Sequence, residues 1–483
     1  MNLKKFKDIP FHHVYHGKAN LEMLYLHALK QNLIRYVNQQ LLFYIEKEGC
    51  NYFIDSKNEW NVISNLFSEK LCEKLDHNNT DYLTKRLKNT PSLQLDEEDL
   101  DHDLNVINTK GGVLNYKTLE IRDQYYRNDW FTYRINATFI PNAKITDAPY
   151  FQGFCKTSLD GDEEKIQLLL EILGYMCCPL LKAKKAFIFL GESDCGKSVI
   201  LHVFEKMIGK EFICNIPLEK ISNRFSTSTL SKKRVNLCAE LAAKPLKDIE
   251  TFKLIVGGDT ISAEFKGKDI FEFDNRCKLL FASNVLPPIK SEDVSTAFVN
   301  RITLLRFPHA IPENEKNYDL AELMEEEIDI IFSLSVMALQ KLIERKFKFT
   351  TPKDSAQLLA DYAFQQTNID VFVKEKCEIK DGNRIHSYAL YDAYTKFCEE
   401  NLVRPISANV FSSKIGSLPH VYNSRFRIYG GSSLRGFEGI ALKEAYTQDS
   451  DLSYQGQTNQ AVPLNEAEKS VEHWNTGTEA ING

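Results

Sequence analysis

Residues 186–207, which read AFIFLGESDCGKSVILHVFEKM, decide the fold of this chain. The first five form an uninterrupted apolar run, which is typical of a strand buried on both faces of a parallel sheet. Gly191 to Ser198 then fits the pattern G-x-x-x-x-G-K-S/T, and Val199 to Met207 has the character of a helix. A strand, a glycine-rich loop and a helix in this order predict a loop whose backbone amides bind phosphate.

The residues of this loop have distinct expected roles. Glycines let the backbone N–H groups curl around a β-phosphate, Lys197 reaches the β- and γ-phosphate oxygens, and the Ser198 hydroxyl is a ligand for Mg²⁺. The sequence therefore predicts ATP and Mg²⁺ as cofactors. We expect nucleotide contacts from the whole loop and the residue after it, namely Gly191, Glu192, Ser193, Asp194, Cys195, Gly196, Lys197, Ser198 and Val199.

Two further apolar strands end in polar residues that suit the same site. The run from Arg234 to Ala239 precedes Glu240, whose carboxylate can polarise an attacking water or hold the hydration shell of Mg²⁺. The run Lys278–Ser283 precedes Asn284, whose amide can bind a γ-phosphate or orient that water. The alternatives are a surface glutamate and an asparagine that only opens a turn.

Basic residues lie further along the chain. Two alternating apolar runs flank Lys266-Gly267-Lys268, which predicts a β-hairpin with a basic tip that either grips a phosphate backbone or is simply solvated. Arg301 precedes another apolar strand and Arg306 ends it. Either arginine can stabilise transition-state charge in the ATP site of a neighbouring subunit, or pair with a surface acid.

The order of these features resembles superfamily 3 helicases, in particular the helicase half of phage, plasmid and poxvirus-type primase-helicases. The likeness covers residues 101–443 and includes Gly257-Gly258-Asp259 before the hairpin and Asn300-Arg301 after it. It implies an AAA+ P-loop ATPase core and a ring, usually a hexamer, that moves along single-stranded DNA. By resemblance the catalytic residues are Lys197, Glu240, Asn284 and Arg301, the metal ligands are Ser198 and Glu240, and the DNA-gripping residues of the pore are Lys266 and Lys268.

One departure from the family pattern concerns the acid after the second strand. Many viral members carry two consecutive acids there, whereas Ala239 precedes Glu240 in this chain. Whether one carboxylate serves both the metal and the water therefore stays open. A full primase domain is also absent from the residues that precede the likeness, so priming is expected to need a separate partner.

The expected organisation is an α/β chain of five segments. Helical segments are expected over 21–48 and 60–75, and Asp101 and Asp103 are interpreted as solvated acids rather than a primase metal site. The segments are a mixed α/β region of unknown role (1–100), a pre-helicase domain (101–160), the AAA+ superfamily 3 core (161–345), a winged-helix domain (354–443) and an acidic, disordered tail (444–483).

The winged-helix expectation depends on two helices, His386 to Glu400 and Ser407 to Ser417, followed by two strands around Gly430-Gly431. Residues 404–443 carry six basic side chains and one acid. We expect DNA contact there, with a packing module between subunits as the alternative. The expected contacts are Lys414, Arg425, Arg427 and Arg435.

Composition sets the remaining bounds. The net charge of −6 argues weakly against nucleic-acid binding, but residues 444–483 hold seven acids and one lysine and so account for all of it. Eleven cysteines without C-x-x-C spacing exclude a zinc framework and indicate reduced thiols. No signal peptide or membrane-spanning run is evident, so a cytoplasmic protein without a membrane partner is expected.

The sequence therefore predicts an ATP-dependent replicative DNA helicase of a mobile genetic element such as a phage, plasmid or genomic island. Its expected partners are single-stranded and forked DNA, origin duplex DNA if it loads itself, further copies of the chain, and a separate primase. The alternative is an initiator or loader that uses ATP to assemble on DNA without processive unwinding. A small-molecule kinase shares the phosphate loop but leaves the arginine and the winged-helix pattern unexplained.

Overall fold

The computed structural model describes residues 14–15, 18–19, 21–37, 40–47, 50–55, 75–231, 233–239, 249–264, 266–267, 269–287, 298–401, 405–427 and 433–443. The chain divides into two compact units, Met1–Gln366 and Thr367–Gly483. In the described part of the chain, no helix is long and apolar enough to cross a membrane. The nine cysteines whose side chains are described are buried and form no disulfide among themselves.

The amino-terminal part of the first unit has its own small core, which includes Leu24, Leu42, Phe43 and Leu83. The helix expected over 21–48 is wrong in its second half, because two antiparallel strands follow a shorter helix. The helix expected over 60–75 lies almost wholly outside the described residues. The elements up to residue 158 are β1 (Val14–Tyr15), β2 (Lys18–Ala19), α1 (Leu21–Gln31), β3 (Ile34–Val37), β4 (Gln40–Lys47), β5 (Cys50–Asp55), α2 (His77–Lys88), β6 (Val106–Thr109), β7 (Gly112–Asn115), β8 (Ile121–Arg122) and α3 (Pro149–Ser158).

Asp101 is not the solvated side chain that its acidic surroundings predict. It is 4% exposed, and its carboxylate accepts hydrogen bonds from Thr132 N at 2.8 Å and from Thr132 Oγ1 at 2.5 Å. The same carboxylate lies 3.7 Å from Nη1 of Arg234 and 3.8 Å from Nη1 of Arg276. Asp101 therefore links the segment before the large sheet to residues that flank two of its strands.

A five-stranded parallel sheet forms the centre of the first unit, in the order β10-β11-β14-β9-β15. The predicted α/β character is confirmed, and the strands predicted over Ala186–Leu190 and Lys278–Ser283 have those bounds. The elements here are α4 (Glu163–Cys177), β9 (Ala186–Leu190), α5 (Lys197–Ile208), β10 (Ile213–Cys214), α6 (Arg224–Leu230), β11 (Val235–Cys238), α7 (Glu250–Gly257), β12 (Thr260–Glu264), β13 (Ile270–Asp274), β14 (Lys278–Ser283), β15 (Ile302–Arg306), α8 (Leu320–Glu325), α9 (Ile328–Glu344) and α10 (Lys353–Lys376).

Strand β9 is buried on both faces of the sheet, as its apolar run predicts. Phe187 and Phe189 pack into the core that contains α3, α4, α5 and α9, whereas Ala186 and Ile188 pack into the core on the other face. Helices α4 and α9 cross closely at Gly174, where a Cβ atom would lie 2.1 Å from the Ser335 carbonyl oxygen. This packing holds the phosphate loop between two fixed layers.

The predicted hairpin is confirmed: β12 and β13 pair antiparallel, with Thr260 opposite Asp274 and Glu264 opposite Ile270. Its tip includes Lys266, which is exposed, and Gly267, whose φ of +78° requires the left-handed region. Lys268 lies outside the described residues. The hairpin is therefore a separate two-stranded sheet with at least one lysine at its tip.

The second unit consists of helices and a three-stranded antiparallel sheet of order β16-β18-β17. The boundary between the two units falls within α10. Phe372, Tyr394 and Phe411 form its aromatic core, with ring centroids 4.5 to 6.2 Å apart. Its other elements are β16 (Cys377–His386), α11 (Ser387–Glu400), α12 (Ala408–Ile415), β17 (Tyr422–Phe426) and β18 (Leu434–Leu442).

Candidate nucleotide-binding site

The loop Gly191–Ser198 joins β9 to α5 at the edge of the sheet that carries the carboxyl ends of its strands. Asp194 and Gly196 both have positive φ, at +61° and +93°. Left-handed residues that alternate with right-handed ones turn successive backbone N–H groups toward one point and create a concave anion site. Gly196 is also required sterically, because a Cβ atom there would lie 2.2 Å from Ser158 Oγ.

Lys197 is the first residue of α5 and is 8% exposed. Its Nζ donates hydrogen bonds to the carbonyl oxygens of Gly191 at 2.7 Å and Glu192 at 2.6 Å, and lies 3.2 Å from Cys195 Sγ. The ammonium group is therefore folded back against the loop. If a phosphate bound in the loop, this group could leave the two neutral carbonyl oxygens and bind the charged phosphate oxygens instead. The exchange would be favourable because hydrogen bonds between oppositely charged groups are stronger than those to neutral acceptors.

Asn284, which follows the neighbouring strand β14, contacts this lysine. Its Oδ1 accepts a hydrogen bond from Lys197 Nζ at 3.2 Å, and its Nδ2 lies 3.4 Å from Ser193 Oγ. The contact follows from strand order, because β14 and β9 are neighbours in which Ser283 pairs with Leu190. The ends of these two strands are thus side by side, and the Asn284 amide lies next to the Lys197 ammonium group and the Ser193 hydroxyl.

The residues suited to Mg²⁺ are described only in part. Ser198 is exposed on the first turn of α5, next to Lys197, so its hydroxyl is free to face a ligand in the loop. Glu240 lies outside the described residues, although β11, which leads to it, ends at Cys238. In the described part of the chain, no three or more His, Cys, Asp or Glu side chains form a metal site of their own.

The other residues of the loop, and Val199 after it, differ in how exposed they are to solvent. Glu192, Ser193 and Asp194 are exposed, Val199 is half-buried, and Cys195 is 1% exposed, beneath the loop. The exposed residues mark the side of the loop that faces solvent. A nucleotide whose phosphates occupy the loop must project on that side.

The two candidate arginines lie at opposite ends of strand β15. Strand β15 pairs with β9 so that Ile302 is opposite Ala186 and Arg306 is opposite Leu190. Arg301 therefore lies at the end of the strand that is remote from the loop. Burial lowers the pKa of Lys185, and the charge of Arg301 adds to this lowering. Arg306, at the other end of the strand, is beside the loop.

Sequence reasoning missed the segment of residues 307–319, here called the flanking segment, which follows β15 along the loop. Phe307 N donates to Leu190 O at 2.7 Å and Ile311 N donates to Asp194 O at 2.9 Å. Lys316 Nζ lies 3.3 Å from the Asp194 carboxylate. No motif or periodicity identifies these residues, since two of the three contacts use the main chain.

The expected DNA-binding residues of the second unit lie on two of its elements. Arg425 and Arg435 are exposed and stand directly opposite each other on β17 and β18, and Arg427 follows β17. No acid in the described part of the chain forms an ion pair with Arg425 or Arg435. Lys414, on α12, is half-buried, and this burial lowers its pKa while Asp370 opposes the shift.

Two family models match parts of the chain. A family described as "D5 N terminal like" matches residues 26–159, and a "Family of unknown function (DUF5906)" matches residues 189–301. The second match begins in β9 and ends at Arg301, so it spans the phosphate loop, Asn284 and the hairpin. Each model covers less than half of the chain.

Among curated proteins, the chain resembles a protein of Acanthamoeba polyphaga mimivirus described as "Putative helicase L207/L206". The two are 27% identical over 151 residues, which is 30% of this chain and 16% of the viral protein. The chain thus matches only a small part of that relative.

Two similar solved structures are apo forms of the C-terminal region of NrS-1. The A form has a TM-score of 0.47 and the structure of residues 305–718 has one of 0.43, both at 11% identity. Each comparison covers 86% of this chain and 98% of the other.

Proposed function

We propose that this protein is an ATP- and Mg²⁺-dependent replicative DNA helicase of a mobile genetic element, built on an AAA+ core of the superfamily 3 type. The observation that supports the proposal is the contact between Lys197 Nζ and Asn284 Oδ1, beside a loop in which Asp194 and Gly196 have positive φ. The partial matches to a "D5 N terminal like" family and to a viral protein described as a helicase support the same reading.

The chain's own residues would act on ATP by position and charge. Backbone amides of the loop bind the phosphates, and Lys197 leaves its carbonyl partners to neutralise charge on the β- and γ-oxygens. Asn284 would hold the γ-phosphate or the attacking water, and Ser198, with Glu240, would hold Mg²⁺, whose positive charge would stabilise the negative charge of the phosphates. Arg301, at the end of β15 remote from the loop, would complete the site of a neighbouring subunit, as a ring requires.

The second unit is proposed to be a winged-helix domain. Its elements run helix, strand, helix, helix and two strands, and the last two strands form the wing. Like charges directly opposite on paired strands destabilise a sheet, so Arg425 opposite Arg435 is unfavourable unless an anion lies between them. A DNA phosphate meets that requirement, which favours DNA contact over packing between subunits.

Strand displacement on a forked duplex tests the proposal. The wild-type chain should release the displaced strand when ATP and Mg²⁺ are present, and Lys266→Ala with Lys268→Ala should lose this activity while ATP hydrolysis persists. Lys144→Ala with Lys210→Ala, two exposed lysines away from the hairpin, is the matched control for loss of positive charge.

The rival function is an initiator or loader that assembles on DNA with ATP but does not unwind it. The basic pair of Arg425 and Arg435 favours duplex contact and so serves this reading as well. ATP-dependent binding to duplex DNA without strand displacement, at any protein concentration that gives full binding, would establish the rival and overturn the helicase proposal.

A further inference from the structure

Tyr318 is a largely exposed aromatic side chain near the end of the flanking segment. It is 75% exposed, more than any other large apolar side chain in the described part of the protein. Covering such a ring with a flat apolar partner removes apolar surface from water and is therefore favourable.

A chain of polar contacts ties this ring to the phosphate loop. The Tyr318 hydroxyl donates to the Glu313 carboxylate, which pairs with Lys316 Nζ at 2.6 Å. Lys316 in turn lies 3.3 Å from the Asp194 carboxylate on the solvent side of the loop. The hydrogen bond to Glu313 raises the pKa of Lys316, so this lysine stays charged at neutral pH.

The flanking segment is anchored at its other end too. His309 Nε2 lies 3.4 Å from the carboxylate of Asp160, in the turn between α3 and α4. The main-chain bond from Ile311 to Asp194 and the pair of Lys316 with Asp194 hold the segment against the loop. Tyr318, two residues beyond Lys316, is therefore held near the loop.

We propose that Tyr318 stacks on the nucleobase of the nucleotide whose phosphates bind in Gly191–Ser198. This inference rests on the proposed function, because it needs a nucleotide in that loop. Stacking uses the face of the ring, which every base offers, so Tyr318 supplies affinity without choosing among bases. The site thus takes nucleoside triphosphates as a class and selects them over base-free polyphosphate.

Isothermal titration of the full chain in Mg²⁺ with ATP, GTP and inorganic tripolyphosphate tests this inference. Tyr318→Ala should weaken ATP and GTP by about tenfold each and leave tripolyphosphate unchanged, because stacking is lost and the loop is intact. Tyr318→Phe keeps the ring face and should stay within about threefold of wild type. Tyr150→Ala, another exposed tyrosine, controls for the substitution itself.

Two results would overturn the stacking inference: Tyr318→Ala that binds ATP as wild type does, or equal weakening of all three ligands. Lys197→Ala separates this failure from failure of the proposed function. If Lys197→Ala weakens all three ligands while Tyr318→Ala changes none, only the stacking inference is wrong. If Lys197→Ala binds all three as tightly as wild type, the loop is not the nucleotide site and both proposals fail.

Discussion

Asp101→Asn should destabilise the first unit by about 3 kcal/mol, because it removes the buried carboxylate charge that faces two arginines and leaves the side-chain shape nearly intact. The carboxylate faces Arg234 at 3.7 Å and Arg276 at 3.8 Å. Both Nη atoms of Arg234 are buried without a hydrogen-bond partner, so this guanidinium depends on Asp101 and on the Tyr133 ring 3.9 Å away. Removing one member of a buried pair costs roughly 3–5 kcal/mol.

Urea unfolding followed by tryptophan fluorescence measures this change, since the Trp130 carbonyl accepts a hydrogen bond from Asp101 N at 3.2 Å. Asp103→Asn, at an exposed carboxylate two residues away, is the matched control and should stay within about 0.5 kcal/mol of wild type. Adding Arg234→Met to Asp101→Asn should restore most of the loss, because the uncompensated charge is then gone. An Asp101→Asn protein as stable as the control would refute the reasoning.

Three other predictions concern the loop, the core and the second unit. Gly196→Ala should lower the free energy of unfolding, measured by heating, by about 2 kcal/mol and weaken ATP binding. Adding Ser158→Ala should restore only the stability lost through the 2.2 Å contact, because φ stays at +93°. Full restoration of stability would contradict this. Burial lowers the pKa of Lys278 from 10.5 to about 8, so the unfolded chain binds its proton more tightly between these values. The unfolding free energy of wild type relative to Lys278→Met should therefore rise from pH 8 to 10.5 by up to about 3 kcal/mol, and a flat or falling difference would count against it. Arg425→Ala with Arg435→Ala should reduce the slope of log affinity for duplex DNA against log salt by about 2, and an unchanged slope would exclude DNA contact there.

The central sheet is the part of the fold that local sequence predicts well. Ala186–Leu190 and Lys278–Ser283 are short apolar runs bounded by turn-forming residues, and both are strands with those bounds. The helix expected over 21–48 ends at Gln31, and Asn32 follows with a φ of +53°. The run from Leu41 to Tyr44 has no polar residue to set a period. Periodicity therefore cannot distinguish a buried strand from a buried helix there.

The site is predictable where it depends on motif and strand order. Lys197 and Ser198 follow from the loop pattern, and the contact of Lys197 with Asn284 follows once β9 and β14 are neighbours. The flanking segment is not predictable, because its bonds to Leu190 and Asp194 are made through backbone groups that any residue supplies. Asp101 was misjudged for a related reason, since its burial depends on Thr132 and on Arg234, which lie far along the chain.

Steady-state ATP hydrolysis with and without single-stranded DNA, compared between wild type and Lys197→Ala, tests the central claim most directly. The account predicts DNA-stimulated hydrolysis in the wild type and a kcat at least about a hundredfold lower in Lys197→Ala, because the charge on the β- and γ-phosphates is no longer neutralised. Lys210→Ala, just beyond the end of the same helix, should behave as wild type. An unchanged kcat in Lys197→Ala would show that the loop at Gly191–Ser198 is not where this protein hydrolyses ATP.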